Sequence, residues 1–451
     1  MDLIAAIATG SAATAIGIVR VSGAGCFAAC DRVFRPRNGR PFADQPSHRL
    51  MFGEMLDSAG AVIDRGLAVR FDGSHSYTGE DSAEFHCHGS PVVLRELLSA
   101  LFAAGARQAR AGEFTRRAFL NGKMDLTEAE AVIDLIDAQS AAAAKNAAAQ
   151  LDGGLRRRLE PVQEALIDVT SRFYAVVDYP DEDIEDIRPE QIEAALHTAE
   201  RTLSALLDTA GRGRVLKNGV RTAIIGRPNA GKSSLLNALA GYDRAIVTDI
   251  PGTTRDTVEE RAELGGVTLR LIDTAGLRDS DDPIEQLGVE RSRAAMDEAA
   301  LVLLVVDGTE KPTQEDADLA RTIAEAGKPF ILVRSKRDLA GEHADELEAL
   351  SQGAPTVSLS ARTGEGLEEL GQAVAALFPQ GSEDKAGELI TNARQAEAAG
   401  RALNCVVRAN QALSDGVTPD ALLTDVEEAL AALGELTGQN VREDIVARIF
   451  S

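Results

Sequence analysis

The chain has 451 residues, enough for about three domains at roughly 100–200 residues each. Its 47 Lys and Arg against 71 Asp and Glu leave a formal charge of −24, which argues against a protein that grips nucleic acid through a basic surface of its own. Four cysteines (Cys26, Cys30, Cys87, Cys405) are too few for a disulfide scaffold, and no apolar run approaches the roughly 18 residues of a membrane span. The first residues lack the charged-then-apolar layout of a secretory signal, so the expectation is a cytoplasmic chain with free thiols and no membrane contact.

Residues 1–118 read as mixed α/β, with short strands over 15–21, 50–56 and 62–71 punctuated by Gly and Pro. Cys26, Cys30 and the run His86-Cys87-His88 match no strong zinc spacing. Residues 126–151 turn helical and Ala-rich, with Thr127 and Glu130 spaced as a capping box. Leu126, Ala129, Ile133 and Ile136 fall on one face that needs a partner. The segments available are 161–177, 192–207, 395–413 and 426–436. Arg156-Arg157-Arg158 reads as an exposed basic helix face, and the acidic run 180–186 as a solvated loop. Residues 211–214 and 379–384 read as the hinges into and out of an inserted domain. The expected fold is therefore an α/β chain of three domains. An α+β N-terminal domain spans 1–118, a discontinuous helical domain spans 119–214 and 380–451, and a phosphate-binding-loop domain with a doubly wound sheet fills 215–379.

Within the insert, Gly226-Arg227-Pro228-Asn229-Ala230-Gly231-Lys232-Ser233 fits the loop that cradles nucleotide phosphates, between an apolar strand at 221–225 and a helix at 234–239. The glycines let successive backbone N–H groups face a phosphate. Lys232 would reach the β/γ-phosphates and Ser233 would sit on Mg²⁺. A strand then ends in Asp273-Thr274-Ala275-Gly276, where a carboxylate can hold Mg²⁺ through water and the Gly N–H can touch the γ-phosphate. Strands at 301–306 and 329–333 lead to Ser335-Lys336-Arg337-Asp338, and a last strand leads to Ser360-Ala361-Arg362. The Asp338 carboxylate can accept two N–H bonds from guanine, a pairing adenine does not offer, and the backbone N–H at 360–362 could meet the guanine carbonyl. In this order the motifs read as a guanine-nucleotide domain, with Asn229 to Ser234, Thr248, Thr253, Thr254, Asp273 to Gly276, Ser335, Lys336, Asp338 and Ser360 to Arg362 as nucleotide contacts. An ATPase reading would ignore Asp338.

Two positions depart from the common pattern. Ser335 stands where such domains carry Asn, which predicts loose nucleotide binding, with dissociation constants above the micromolar range's lower edge. Leu277 stands where many carry the Gln that orients water. Either hydrolysis is poor or another group takes over, and Glu285, in the acidic stretch after the strand, and Asn229, as a ligand for a monovalent cation, are the candidates. The polar, turn-rich run 248–256 reads as a switch segment, whose Thr closes on Mg²⁺ and the γ-phosphate.

These residues resemble the tRNA-modification GTPase family known as MnmE or TrmE. The resemblance rests on the phosphate loop, on Gly252-Thr253-Thr254-Arg255-Asp256 and on Asp273 to Arg278. It rests further on Val19 to Gly23, Tyr77 to Asp81, His88 to Pro91, Gly112 to Thr115 and Arg117 to Lys123. It covers essentially the whole chain. The nucleotide motifs are shared with several GTPases, whereas the N-terminal ones are more particular. The resemblance implies potassium at Asn229, Thr248, Ile250 and Thr253, magnesium at Ser233 and Thr254, and Glu285 as the catalytic acid/base that orients water. It implies a homodimer through the N-terminal domain, and a folate one-carbon donor (5,10-methylene- or 5-formyl-tetrahydrofolate) near Arg20, Glu84 and Lys123. It also implies work on tRNA with the FAD-dependent partner MnmG, in a heterotetramer or larger complex, to place a carboxymethylaminomethyl-type group on C5 of the wobble uridine. Family members usually end in a tail with a Cys and a terminal Lys after a segment like 444–450, and this sequence stops at Ser451 without it. The competing expectation is a regulatory GTPase without modification chemistry, such as a ribosome-assembly factor.

Overall fold

The computed structural model describes residues 1–10, 12–178, 188–242, 260–272, 294–339, 343–379, 386–417 and 419–439. They gather into two compact units, one of residues 1–132 with 437–439 and one of residues 133–436.

The first unit is built on a seven-stranded sheet. Its strands are β1 (Ile4–Ile7), β2 (Thr14–Ser22), β3 (Phe34–Pro36), β4 (Met51–Leu56), β5 (Val62–Phe71), β6 (Ser82–Gly89) and β7 (Arg107–Gln108), in the order β3-β4-β5-β6-β2-β1-β7. Side chains alternate across the pleat. In β6, Ala83, Phe85 and Cys87 are buried while Glu84, His86 and His88 lie on the other face. The buried face packs under α1 (Cys26–Val33) and α2 (Pro91–Ala103), around the rings of Phe34, Phe42 and Phe85. The opposite face leaves Ile16, Phe52 and Leu67 exposed. Helix α3 (Glu113–Leu120) follows β7.

The helical reading of 126–151 needs correction. The segment is two helices, α4 (Leu126–Ile136) and α5 (Ala141–Leu151). Ser140 accepts the Ala143 N–H at 3.2 Å and caps α5, so the Ala-rich run starts a second helix there. The capping box also sits two residues earlier than expected. Asp125 Oδ1 accepts the Glu128 N–H at 2.8 Å, and Glu128 Oε2 accepts the Asp125 N–H at 2.9 Å. Leu126 and Ala129 are buried, but Ile133 and Ile136 are 57% and 74% exposed, so the expected apolar face is only half covered.

Three helices follow: α6 (Gly154–Asp178), α7 (Pro189–Leu207) and α8 (Ala210–Asn218). Helix α6 carries Pro161 inside rather than at its start, because buried Leu155 and Leu159 anchor the turns before it. The supposed entry hinge at 211–214 lies within α8. A Cβ at Gly213 would overlap the Ile390 carbonyl, so this glycine serves close packing rather than freedom.

A six-stranded sheet comes next: β8 (Val220–Ile225), β9 (Glu260–Leu264), β10 (Val267–Ile272), β11 (Leu301–Asp307), β12 (Phe330–Ser335) and β13 (Thr356–Ser358). Its order is β13-β12-β11-β8-β10-β9, parallel except for the β9–β10 pair. Helices α9 (Lys232–Tyr242), α10 (Gln314–Glu325), α11 (Ala344–Glu348) and α12 (Leu367–Leu377) accompany it. Apolar clusters lie on both faces, and every residue of β11 is buried, as a parallel strand covered on both sides requires.

The chain then returns through α13 (Ala393–Ser414) and α14 (Pro419–Thr437). Leu159 and Leu166 of α6, Leu196 and Leu203 of α7, Val406 of α13 and Val426 and Leu433 of α14 share one core. The helical core is thus made from two pieces far apart in sequence, with the α/β sheet inserted between them.

Candidate functional site

In an open parallel sheet the loops at the carboxyl ends of the strands form the binding crevice. Here those ends are Ile225, Ile272, Asp307, Ser335 and Ser358. Gly226 follows β8 directly, and a Cβ there would overlap the Val305 carbonyl of the neighbouring strand. Asn229 lies in the left-handed region at φ 62°, and Gly231 sits at φ 100°. Helix α9 starts at Lys232, so its first N–H groups and their partial positive charge face the loop, as an anion site requires. The Lys232 ammonium donates to the carbonyls of Gly226 at 2.8 Å and Arg227 at 2.7 Å. Burial holds its pKa below the usual lysine value. Arg227 itself is pinned by the buried Asp316, at 2.8 Å from Nε.

The base-reading loop lies against this cradle. Ser335 Oγ donates to the Ala230 carbonyl at 2.6 Å, linking the end of β12 to the phosphate loop. Lys336, also left-handed at φ 56°, reaches Asp307 Oδ2 at 2.5 Å. Burial alone would raise the Asp307 pKa, but hydrogen bonds from Lys336 and Thr309 outweigh it and hold the carboxyl below its ordinary value. Asp338 Oδ1 accepts from Ser360 Oγ at 2.7 Å, and Oδ2 accepts from Arg362 Nε and Nη2 at 3.0 and 2.6 Å. The Ser360 hydrogen bond, then Arg362, lowers the Asp338 pKa, so it is a carboxylate acceptor at neutral pH.

The structure therefore brings Asn229, Ala230, Gly231, Lys232, Ser233 and Ser234 into one loop and helix start, and joins them through Ser335 to Lys336, Asp338, Ser360, Ala361 and Arg362. Thr248, Ile250, Thr253, Thr254, Asp273, Thr274, Ala275, Gly276 and Glu285 lie outside the described residues, as do the acidic run 180–186 and most of the exit hinge. Sequence reasoning missed Asp307, whose signal was an acidic residue closing an apolar strand.

In the first unit, Arg20 and Glu84 face each other across β2 and β6, with Arg20 Nε 2.8 Å from Glu84 Oε1. The Arg20 guanidinium also lies 5.3 Å from the centre of the Tyr77 ring and 5.5 Å from that of Phe114. The third expected residue, Lys123, is tied elsewhere, donating to the Ser74 carbonyl at 2.7 Å. Tyr77 and Phe114, from the runs Tyr77 to Asp81 and Gly112 to Thr115, join this cluster.

Among the described residues no group of three or more His, Cys, Asp or Glu could hold a metal ion, and all four cysteines are free and buried. Burial pushes the Cys87 thiol up to about 11. Arg157 and Arg158 lie on α6, with Arg158 donating to the Glu388 carbonyl at 3.2 Å. No helix among the described residues is long and apolar enough to cross a membrane.

The family model of the GTP-binding protein TrmE N-terminus matches residues 3–123, and that of the MnmE helical domain matches residues 126–451. The tRNA modification GTPase MnmE of Heliobacterium modesticaldum is 43% identical over 461 aligned positions, covering 100% of this chain and 98% of that protein. Its namesake in Symbiobacterium thermophilum is 44% identical over 453, with 100% and 98% covered. Among solved structures, the G domain of the T. maritima FeoB iron transporter is 31% identical over 35% of this chain and 97% of that one, at a TM-score of 0.24. With one family model on each side of residue 125 and relatives matched along its whole length, the chain belongs to the family of tRNA modification GTPases called MnmE.

Proposed function

We propose that this GTP hydrolase of tRNA modification works as a potassium-dependent homodimer. With the FAD-dependent partner MnmG, it adds a carboxymethylaminomethyl-type group to C5 of the wobble uridine from a folate one-carbon donor. The observation that carries the nucleotide half is the bridge from the phosphate loop to the base loop, Ser335 Oγ to the Ala230 carbonyl, which holds Lys232 and Asp338 in one site.

Asp338 accepts the two N–H groups of guanine, and Lys232 leaves the Gly226 and Arg227 carbonyls for the β/γ-phosphates. Loop and α9 N–H groups hold the phosphate oxygens. Asn229 and Ser233 fit the cations this reading needs. Asn229 is exposed in its left-handed turn, where its side-chain oxygen suits potassium, and the Ser233 hydroxyl in the first turn of α9 suits magnesium. When bound, the two cations supply the charge that neutralises the developing phosphate oxygens, a part an arginine finger plays in other GTPases. In this reading Glu285, in place of the usual Gln, orients the attacking water.

For the folate donor, support comes from Arg20 near two aromatic rings and beside Glu84, which offers a flat heteroaromatic ligand both stacking and paired polar contacts. For the homodimer, support comes from the outer sheet face, where Ile16, Phe52 and Leu67 are 63%, 46% and 37% exposed. The net charge of −24 supports a partner that carries positive surface for tRNA.

The test is GTP turnover in potassium against sodium at equal ionic strength, with Glu285→Ala alongside. Potassium should stimulate turnover at least tenfold, and the substitution should abolish the stimulation. Equal slow rates in both salts would overturn the cation mechanism. Restoration of the modified uridine in a strain lacking its own enzyme tests the chemistry separately.

A further inference from the structure

We infer that Arg362 competes with guanine for the carboxylate that reads it, and so sets nucleotide affinity from inside the site. The inference rests on the assignment of Asp338 as the base reader. A guanine edge presents two parallel N–H donors, and a carboxylate takes such a pair on its two oxygens. Both Asp338 oxygens already have donors. Ser360 Oγ is 2.7 Å from Oδ1, and two Arg362 nitrogens converge on Oδ2 at 3.0 and 2.6 Å. A carboxylate oxygen has about two lone-pair positions, so Arg362 fills those of Oδ2.

The two donors differ in how readily they leave. Ser360 is fully buried and its hydroxyl also accepts the Thr363 N–H at 3.3 Å, so it is part of the frame. The Arg362 side chain is 75% exposed. It is the group that must move when the base arrives. An exposed ion pair is weak, so its loss costs the incoming base only a few-fold in affinity. Because GTP and GDP carry the same base, the effect falls on both alike. It lowers affinity for GTP and GDP equally and favours release of the product.

The experiment titrates the full chain with fluorescently labelled guanosine diphosphate and xanthosine diphosphate. Four proteins are compared: the parent, Arg362→Met, Asp338→Asn and the double variant. Arg362→Met keeps the apolar stem and should tighten guanosine diphosphate binding about two- to five-fold. Asp338→Asn should move preference to xanthosine diphosphate, and in that background Arg362→Met should change xanthosine diphosphate affinity less than 1.5-fold, on the order of measurement error. Weaker or unchanged guanosine diphosphate binding in Arg362→Met would overturn the competition, weaker binding meaning that the arginine packs on the bound base. Failure of Asp338→Asn to move the preference would instead defeat the base-reader assignment. If Arg362→Met folds poorly, Arg362→Lys keeps the charge but loses the two-pronged grip, and should give a smaller gain in affinity.

Discussion

Ser335 is the residue where this chain departs most informatively from its kind. A serine is too short to copy the reach of an asparagine amide, yet its hydroxyl closes on the Ala230 carbonyl at 2.6 Å. The geometry around Gly231 allows this. A Cβ on Gly231 would lie 3.2 Å from the Ser335 side chain, so the glycine lets the two loops approach. Ser335 is buried, which makes the hydrogen bond worth more and its loss more costly. Ser335→Ala should therefore leave the Ala230 carbonyl without this donor and weaken binding of guanosine diphosphate by about 0.5–1.5 kcal/mol, up to roughly tenfold. Isothermal titration of parent and variant decides it. Equal affinities would mean that the tether shapes the loop but adds nothing to nucleotide binding.

At the scale of elements, the start of α3 shows how charge fastens a helix to a sheet. Glu113, its first residue, accepts from Arg107 of β7 at 2.6 and 2.8 Å, from Arg117 at 3.2 Å and from the Arg110 N–H at 2.8 Å. The Arg107 hydrogen bonds, chiefly, lower its pKa to about 2. A carboxyl whose folded pKa lies below its unfolded value of 4.5 stabilises the fold fully above that value, and the contribution disappears as pH falls towards 2. Allowing for solvent screening, it is on the order of 1–2 kcal/mol. Acidification from pH 5 to about 2 should release α3 early. Arg107→Ala should move that release to higher pH, read as hydrogen exchange of α3 amides corrected for intrinsic rates. An unmoved transition would show that Arg117 alone suffices.

The same scale shows what was legible beforehand. The strand at 301–306 was plain, because an apolar run bounded by turns follows from burial alone. The phosphate loop was legible because its backbone needs glycine at fixed positions. The cap of α4 was not. Asp125-Leu126-Thr127-Glu128-Ala129-Glu130 contains two overlapping boxes, and local pattern does not choose between them. The tertiary structure does, since the earlier start brings Leu126 into the helix at a fully buried position. The glycines at 211–213 looked like a hinge because close packing and flexibility call for the same residue. The Arg362–Asp338 pair depends on two loops meeting from either side of β13, a contact no single segment announces.

For the chain as a whole, the central question is whether a nucleotide domain inserted in a helical one can pass its state onward. The second unit holds both crossings at one place. Asp134 of α4 binds Lys217 of α8, on the way into the sheet, at 2.7 Å, and accepts from Thr391 Oγ1, on the way out, at 2.9 Å. The returning segment is strapped down further. Asn146 Oδ1 accepts the Gly387 N–H at 2.8 Å, Gln150 donates to the Leu389 carbonyl at 2.5 Å, and Thr209 Oγ1 accepts the Ile390 N–H at 3.0 Å. A cavity of about 320 Å³ opens beside this junction, lined by Asp134, Lys217 and Thr391 with Arg261 and Arg270 of the sheet edge. Asp134 thus ties the segment entering the sheet to the one leaving it. Asp134→Ala should cost about 1–3 kcal/mol, less than a fully buried pair because Lys217 keeps partial access to water. It should raise hydrogen exchange across 387–391 and α8. GTP turnover should stay within about twofold, since rigid neighbours hold the phosphate loop, while restoration of modified uridine falls tenfold or more. Parallel loss of both activities, with exchange rising throughout the second unit, would mean that Asp134 serves overall stability and that the coupling runs elsewhere.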